Sequence, residues 1–71
     1  MTSKEIIAEI KQLGLPIKTQ IFKLKIIDGN DGTADVEYYL SAEERDSEAE
    51  AIEHPYYYER STVSFKESAF T

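Results

Sequence analysis

The stretch that decides the fold is FKLKIIDGNDGTADVEYYL, residues 22–40. Its first part alternates apolar residues with Lys23 and Lys25, and its last part alternates them with Asp35 and Glu37, as in strands that bury one face. The middle of the stretch is rich in Gly, Asn and Asp, which accept the backbone conformations of tight turns. The stretch therefore predicts a β-hairpin over about residues 20–40.

The expected register of this hairpin opposes apolar residues on the inner face and lysines to carboxylates on the outer face. A slip of one residue would turn the apolar face toward water, because successive side chains of a strand point to opposite faces. The expected pairs are Ile26 with Ala34, Leu24 with Val36, Phe22 with Tyr38, Lys25 with Asp35, and Lys23 with Glu37. A shift of two residues would keep the same faces and would oppose Lys25 to Glu37.

A helix over about residues 3–13 is predicted before the hairpin. Thr2 and Glu5 have the spacing of a capping box, which satisfies free N–H groups at a helix start. Gly14 suits the left-handed residue that ends a helix, and Pro16 prevents continuation. The apolar stripe of this helix consists of Ile6, Ile7, Ile10 and Leu13.

Two further segments follow the hairpin. Residues 41–53 predict a second, polar helix or an ordered acidic loop, and Ser41 and Glu44 repeat the capping-box spacing. Residues 56–65 predict a third strand with aromatic residues on both faces. A bulge near residues 59–60 would bring one aromatic set to the core.

The predicted fold class is α+β, a single small domain spanning residues 1–71. An N-terminal helix packs on a three-stranded antiparallel sheet, in the order α-β-β-(acidic helix or loop)-β. The chain has 71 residues, 41% of them hydrophobic, which is enough for a small core. It has no cysteine, which excludes disulfides and cysteine-based metal sites. With no apparent signal peptide or membrane-length apolar run, we expect a cytoplasmic protein that does not bind membranes.

The formal net charge of −6 is unevenly distributed. Residues 28–53 hold ten acidic residues against Arg45 alone, whereas residues 1–27 hold five lysines against two glutamates. Because phosphate binding depends on Lys and Arg, direct nucleic-acid binding is not expected. A larger protein with a basic surface, such as a nucleic-acid-binding protein, is the expected partner.

Neither a metal site nor a catalytic site is expected. Asp28 and Asn30 match the first ligands of a calcium loop, but Gly32 and Tyr39 break that pattern, and a hairpin turn explains the segment. His54 has only a carboxylate nearby in sequence and no nucleophile or third ligand. We therefore expect a non-catalytic binding protein without cofactors.

Two sets of residues are candidates for binding a partner. An acidic set would present negative charge to a basic groove, and exposed tyrosines would supply rigid contact area. The acidic set is Glu43, Glu44, Asp46, Glu48, Glu50 and Glu53, and the aromatic set is Tyr39, Tyr57 and Tyr58.

The leading functional hypothesis is a small acidic protein-binding module that blocks a basic, nucleic-acid-binding groove, as nucleic-acid mimics do. Its size and acidity are similar to those of accessory proteins of bacteriophages and mobile elements, which include inhibitors of host nucleases. The alternative is a structural or assembly component that forms a homo-oligomer through its sheet edge or its tyrosine face.

Overall fold

The computed structural model describes residues 1–66 and confirms the α+β fold class. Three antiparallel strands form one sheet in the order β2-β1-β3, and the second helix lies between β2 and β3 in sequence. Residues 67–71 of the predicted domain lie outside the described residues. The elements are α1 (Ser3–Leu13), β1 (Gln20–Asp28), β2 (Ala34–Tyr39), α2 (Ala42–Glu50) and β3 (Tyr56–Ser64).

Helix α1 begins and ends as its capping residues predict. The Thr2 hydroxyl accepts a hydrogen bond from the Glu5 backbone N–H at 3.3 Å and donates to the Glu5 carboxylate at 3.1 Å. At the other end, Gly14 adopts φ 66°, and the Leu15 N–H donates to the Ile10 carbonyl at 3.2 Å. This arrangement satisfies carbonyls of the last turn that have no partner within the helix.

The hairpin register differs from the expected register by one residue. Ile26 lies opposite Asp35 and Leu24 opposite Glu37, whereas Lys23 lies opposite Tyr38. The expected pairing assumed that only one face of the sheet is covered. It was wrong because each face is covered by one of the two helices, so apolar residues of both parities find a buried environment.

One face of the sheet, the α1 face, packs against the first helix. Its central residues are Ile21 of β1 and Tyr38 of β2, which are 0% and 6% exposed. They form a core cluster with Ile6 and Ile10 of α1. Val36, Leu40, Val63 and Phe65 pack around this cluster.

The opposite face, the α2 face, packs against the second helix. Leu24 of β1 is fully buried on this face, and Ala49 of α2 is 1% exposed. The guanidinium carbon of Arg45 lies 5.2 Å from the centre of the Phe22 ring. Helix α2 thus runs over β1 and β2, and the sheet has one helix on each side.

Strand β3 pairs with β1 without the expected bulge. The register is continuous from Gln20 opposite Ser64 to Asp28 opposite Tyr56. No bulge is needed because the tyrosines of β3 stay outside the core, whereas Phe65 reaches the core in the unbroken register. The tyrosines at 56, 57 and 58 remain 49%, 56% and 42% exposed.

The hairpin turn is held by its own side chains. The Asp28 carboxylate accepts the Asn30 N–H at 2.8 Å, and the Asp31 carboxylate accepts the N–H and the hydroxyl of Thr33 at 2.9 and 2.7 Å. These bonds from Thr33 hold the pKa of Asp31 below its usual value.

Within residues 1–66, no helix is long and apolar enough to cross a membrane.

Candidate protein-interaction surfaces

Helix α2 carries most of the predicted acidic residues. Ser41 caps it by accepting the Glu44 N–H at 3.5 Å, and the acids of the first turn lie where the helix dipole favours negative charge. Ala49 and Arg45 face the sheet, whereas Glu43 and Glu50 are exposed. The helix therefore attaches through a small side chain and an arginine and leaves carboxylates at the surface.

Three carboxylates lie near enough to Tyr39 for their charges to raise its pKa, and we call these residues, Glu37, Glu44 and Glu48, the acidic surface. Tyr39 is half-buried. Burial raises the pKa of its phenol, and the charges of Glu48, Glu37 and Glu44 raise it further. The structure thus brings together residues of β2 and α2 that are distant in sequence.

The register keeps the lysines of β1 away from the acidic surface. Lys23 and Lys25 lie opposite Tyr38 and Val36, so their side chains belong to the α1 face, whereas Asp35 and Glu37 belong to the α2 face. Among the strand residues that the structure describes, the α2 face carries no lysine. The Met1 ammonium group approaches Glu37 Oε2 at 2.8 Å.

Asp46 is placed differently from the other acidic candidates. Its carboxylate lies 3.0 Å from Arg45 Nε and 3.3 Å from Arg60 Nη1. The hydrogen bond from Arg45, with the charges of both arginines, holds the pKa of this carboxyl below its usual value. Asp46 therefore links α2 to β3, and the exposed Glu53 lies beyond the end of the helix.

Arg45 and Arg60 were not predicted as structural residues. Arg45 is only 12% exposed and donates from Nη1 to the Ser61 carbonyl at 2.9 Å. The sequence could have indicated that Arg45 faces the sheet, because residue 45 lies at helical spacing with the thin apolar stripe at residues 42, 49 and 52. Long arginine side chains often cover apolar surface in this way.

The predicted aromatic candidates do not form one cluster. Tyr39 is half-buried against α2, whereas Tyr57 and Tyr58 are exposed on β3. Tyr57 points to the α1 face beside His54, with ring centres 6.4 Å apart, and Tyr58 points to the α2 face. The tyrosines of β3 belong to a second surface, the outer edge of that strand.

The two edges of the sheet differ. The edge strand β2 is closed at Tyr38, which donates its N–H to the Met1 carbonyl at 2.7 Å and accepts from the Met1 ammonium group at 3.0 Å. In β3, eight of nine residues are exposed, and only Val63 is half-buried. Strand β3 therefore presents the longer open edge.

Metal ligands are not grouped in the described part of the chain. Within residues 1–66, no three His, Asp or Glu residues lie close enough together to hold a metal ion.

Comparisons with protein-family models, with curated proteins and with solved structures found no match.

Proposed function

We propose that this chain is a non-catalytic protein-binding module that docks its acidic surface onto a basic surface of a larger protein. The observation that supports the proposal is the convergence of Glu37, Glu44 and Glu48 around Tyr39 on a face without strand lysines. Glu37 is paired with the Met1 ammonium group, whereas Glu44 and Glu48 are exposed. Exposed carboxylates attract Lys and Arg of a partner and speed association.

The basic surface that fits these carboxylates best is a groove built for nucleic acid. Lys and Arg arranged for phosphates also bind carboxylates, and Arg binds them with two parallel hydrogen bonds. In this role the chain is a nucleic-acid mimic, an inhibitor of the kind that bacteriophages and mobile elements direct at cytoplasmic proteins of their host. Glu43 and Glu50 extend the charge along the exposed side of α2.

The experiment compares matched charge reversals. Tagged wild type, Glu48→Lys and Glu9→Lys are used to capture partners from a bacterial lysate, and the bound proteins are eluted with a salt gradient. Both substitutions change the net charge equally, but Glu9 lies on α1, on the other side of the sheet. We expect a basic, nucleic-acid-binding partner to be retained by wild type and Glu9→Lys and lost with Glu48→Lys.

The fold of each variant is checked by circular dichroism. If Glu48→Lys and the double reversal Glu44→Lys/Glu48→Lys are folded and retain the partner at wild-type salt, the acidic surface is not the binding site. Added nucleic acid should release the partner from the tagged chain, because the nucleic acid and the chain would compete for the same groove of the partner.

The alternative function, a structural component that assembles into a homo-oligomer, is favoured by a different observation, the open edge of β3. An unpaired strand edge offers backbone donors and acceptors to another strand. This function predicts a defined oligomer that the reversal Glu48→Lys leaves intact.

A further inference from the structure

The backbone groups that β3 leaves unpaired belong to its even-numbered residues. The Phe65 N–H donates to the Thr19 carbonyl at 3.0 Å, and the Gly29 N–H donates to the Pro55 carbonyl at 3.0 Å. Both bonds continue the register of β1 and β3, so the odd-numbered residues bond toward β1. The N–H and C=O groups that face outward are those of Tyr58, Arg60, Thr62 and Ser64, together with the C=O of Tyr56, whose N–H instead donates to the Glu53 carbonyl at 2.9 Å.

Strand β3 lacks most of the features with which proteins usually protect an open edge. Its nine residues include neither lysine nor proline, and its continuous register contains no bulge. Its only charges, on Glu59 and Arg60, cancel. The edge therefore resembles a strand that pairs with another strand.

We propose that a second copy of this chain pairs with this edge, antiparallel, around a two-fold axis at Ser61. The product is a continuous six-stranded sheet in the order β2-β1-β3-β3-β1-β2. This inference rests on the alternative function described above and names its partner and register. It is independent of the acidic surface.

Charge disfavours axes at the two residues before Ser61 and is compatible with an axis at Ser61. A two-fold axis normal to the sheet places a residue opposite its own copy, so axes at Glu59 or Arg60 would oppose like charges, which is unfavourable. An axis at Ser61 places Arg60 opposite Thr62 of the partner subunit and Glu59 opposite Val63 of the partner subunit. Arg60 and Thr62 both have outward backbone groups, so each such pair exchanges two hydrogen bonds.

The same register covers exposed aromatic surface. It places Tyr57, which is 56% exposed, opposite Phe65 of the partner subunit on the α1 face. In the monomer Phe65 is half-buried against the core cluster. Aromatic pairs across strands are among the favourable side-chain contacts of a sheet, so this contact adds to the backbone bonds.

The distribution of charge permits a second copy despite the net charge of −6. Helix α2 lies over β1 and β2, and β2 is the far edge from β3. Strands in a sheet lie about 4.8 Å apart, so the two β2 strands of the dimer lie about 24 Å apart. This separation is about three times the screening length at physiological salt, roughly 8 Å. Most of the repulsion between the two acidic surfaces is therefore screened.

The experiment uses two opposite charges at the axis, Ser61→Lys and Ser61→Glu, on the full chain. Sedimentation velocity at micromolar concentrations should give wild type twice the 8.1 kDa mass of the monomer. Each variant alone opposes like charges across the axis and should weaken the dimer about fivefold or more. An equimolar mixture should restore it, because Lys then opposes Glu. Ala34→Lys, on the opposite edge, is the matched control and should remain dimeric.

A backbone variant gives a second readout. Thr62→Pro removes an outward N–H without removing a bond to β1, so it should yield a folded monomer. A wild-type monomer would overturn both the assembly function and this inference. A wild-type oligomer that persists equally in Ser61→Lys, with no gain on mixing with Ser61→Glu, would overturn the Ser61 axis alone and direct assembly to another surface.

Discussion

Gly29 is the residue at which the hairpin turn meets the start of β3. A Cβ atom there would collide with the Pro55 carbonyl oxygen and would lie 2.7 Å from Cε2 of Tyr57. The Pro55 contact is to backbone, which cannot rotate away. We expect Gly29→Ala to lower the free energy of unfolding by about 1–3 kcal/mol, as overpacked sites do. Urea denaturation measures the change, with Asn30→Ala, in the exposed turn, expected to stay within about 0.5 kcal/mol of wild type. Equal stability of Gly29→Ala and wild type would contradict this packing.

Tyr39 reports on the acidic surface through its phenol. Burial and the charges of Glu48, Glu37 and Glu44 raise its pKa. An ultraviolet titration follows the ionisation of the tyrosines in wild type and in Tyr39→Phe. The difference between the two curves should belong to Tyr39 and should lie above the ordinary tyrosine pKa of about 10. Glu48→Gln should lower that pKa, and Glu9→Gln should leave it unchanged. Because the folded state holds this proton more tightly than the unfolded state, the stabilisation is complete below about pH 10 and is lost as the pH rises through the folded pKa. If the pKa of Tyr39 is the same in Glu48→Gln as in wild type, the charge of Glu48 does not act on Tyr39.

At the scale of the element, α2 depends on Arg45. This side chain stacks over Phe22, bonds the Ser61 carbonyl and contacts Asp46. Removing it takes away a cation–π contact, a charged hydrogen bond and apolar cover. We expect Arg45→Ala to cost about 1–3 kcal/mol of unfolding free energy and to speed hydrogen exchange in α2 more than in β1.

Two controls separate the contacts of Arg45 from a general effect on the helix. Arg45→Lys should recover part of the stability, because lysine keeps the charge but not the planar donor group. Glu43→Ala, on the exposed side of the helix, should change stability by less than about 0.5 kcal/mol. Wild-type exchange rates in α2 of Arg45→Ala would show that other contacts hold the helix.

The elements differ in how far sequence predicts them. The bounds of α1 follow from Thr2 and Gly14, because capping acts between residues a few positions apart. The register of the hairpin depends on which faces become covered, which is a long-range property. A count of apolar residues underestimates how well α2 covers the sheet, because much of that cover comes from Ala49 and the aliphatic part of the Arg45 side chain. The sequence predicts the alternation of apolar and polar residues in β1 and β2 correctly. It does not predict that the alternating apolar residues of β1 lie on the α2 face and those of β2 on the α1 face.

The acidic surface was predictable in parts. The sequence indicates Glu44, Glu48 and Tyr39 as candidates, but their proximity depends on α2 folding back over β2. Glu37 joins them because the one-residue difference in register places it on the α2 face. No local pattern contains that information, because it depends on contacts between segments far apart in the chain.

At the scale of the whole molecule, the two proposed interfaces should respond to salt in opposite directions. Docking of the acidic surface on a basic groove is an attraction between opposite charges, which weakens as salt rises. Dimerisation brings two negatively charged molecules together, with their β2 strands about 24 Å apart. The screening length is about 30 Å at 0.01 M salt and about 8 Å at 0.15 M. The dimer should therefore be weaker at the lower salt concentration and gain little from salt above the higher one.

Sedimentation equilibrium of wild type across this salt range measures the dimer, and the salt gradient of the capture experiment measures docking. Glu48→Lys removes negative charge without touching β3, so it should strengthen the dimer at low salt while it abolishes docking. A dimer that dissociates as salt rises would contradict the β3 interface, because it would mean that opposite charges hold the subunits together, as they would if the acidic surface of one copy met the lysines of another. The sign of the salt dependence thus separates pairing through a neutral strand edge from association through the charged faces of the same molecule.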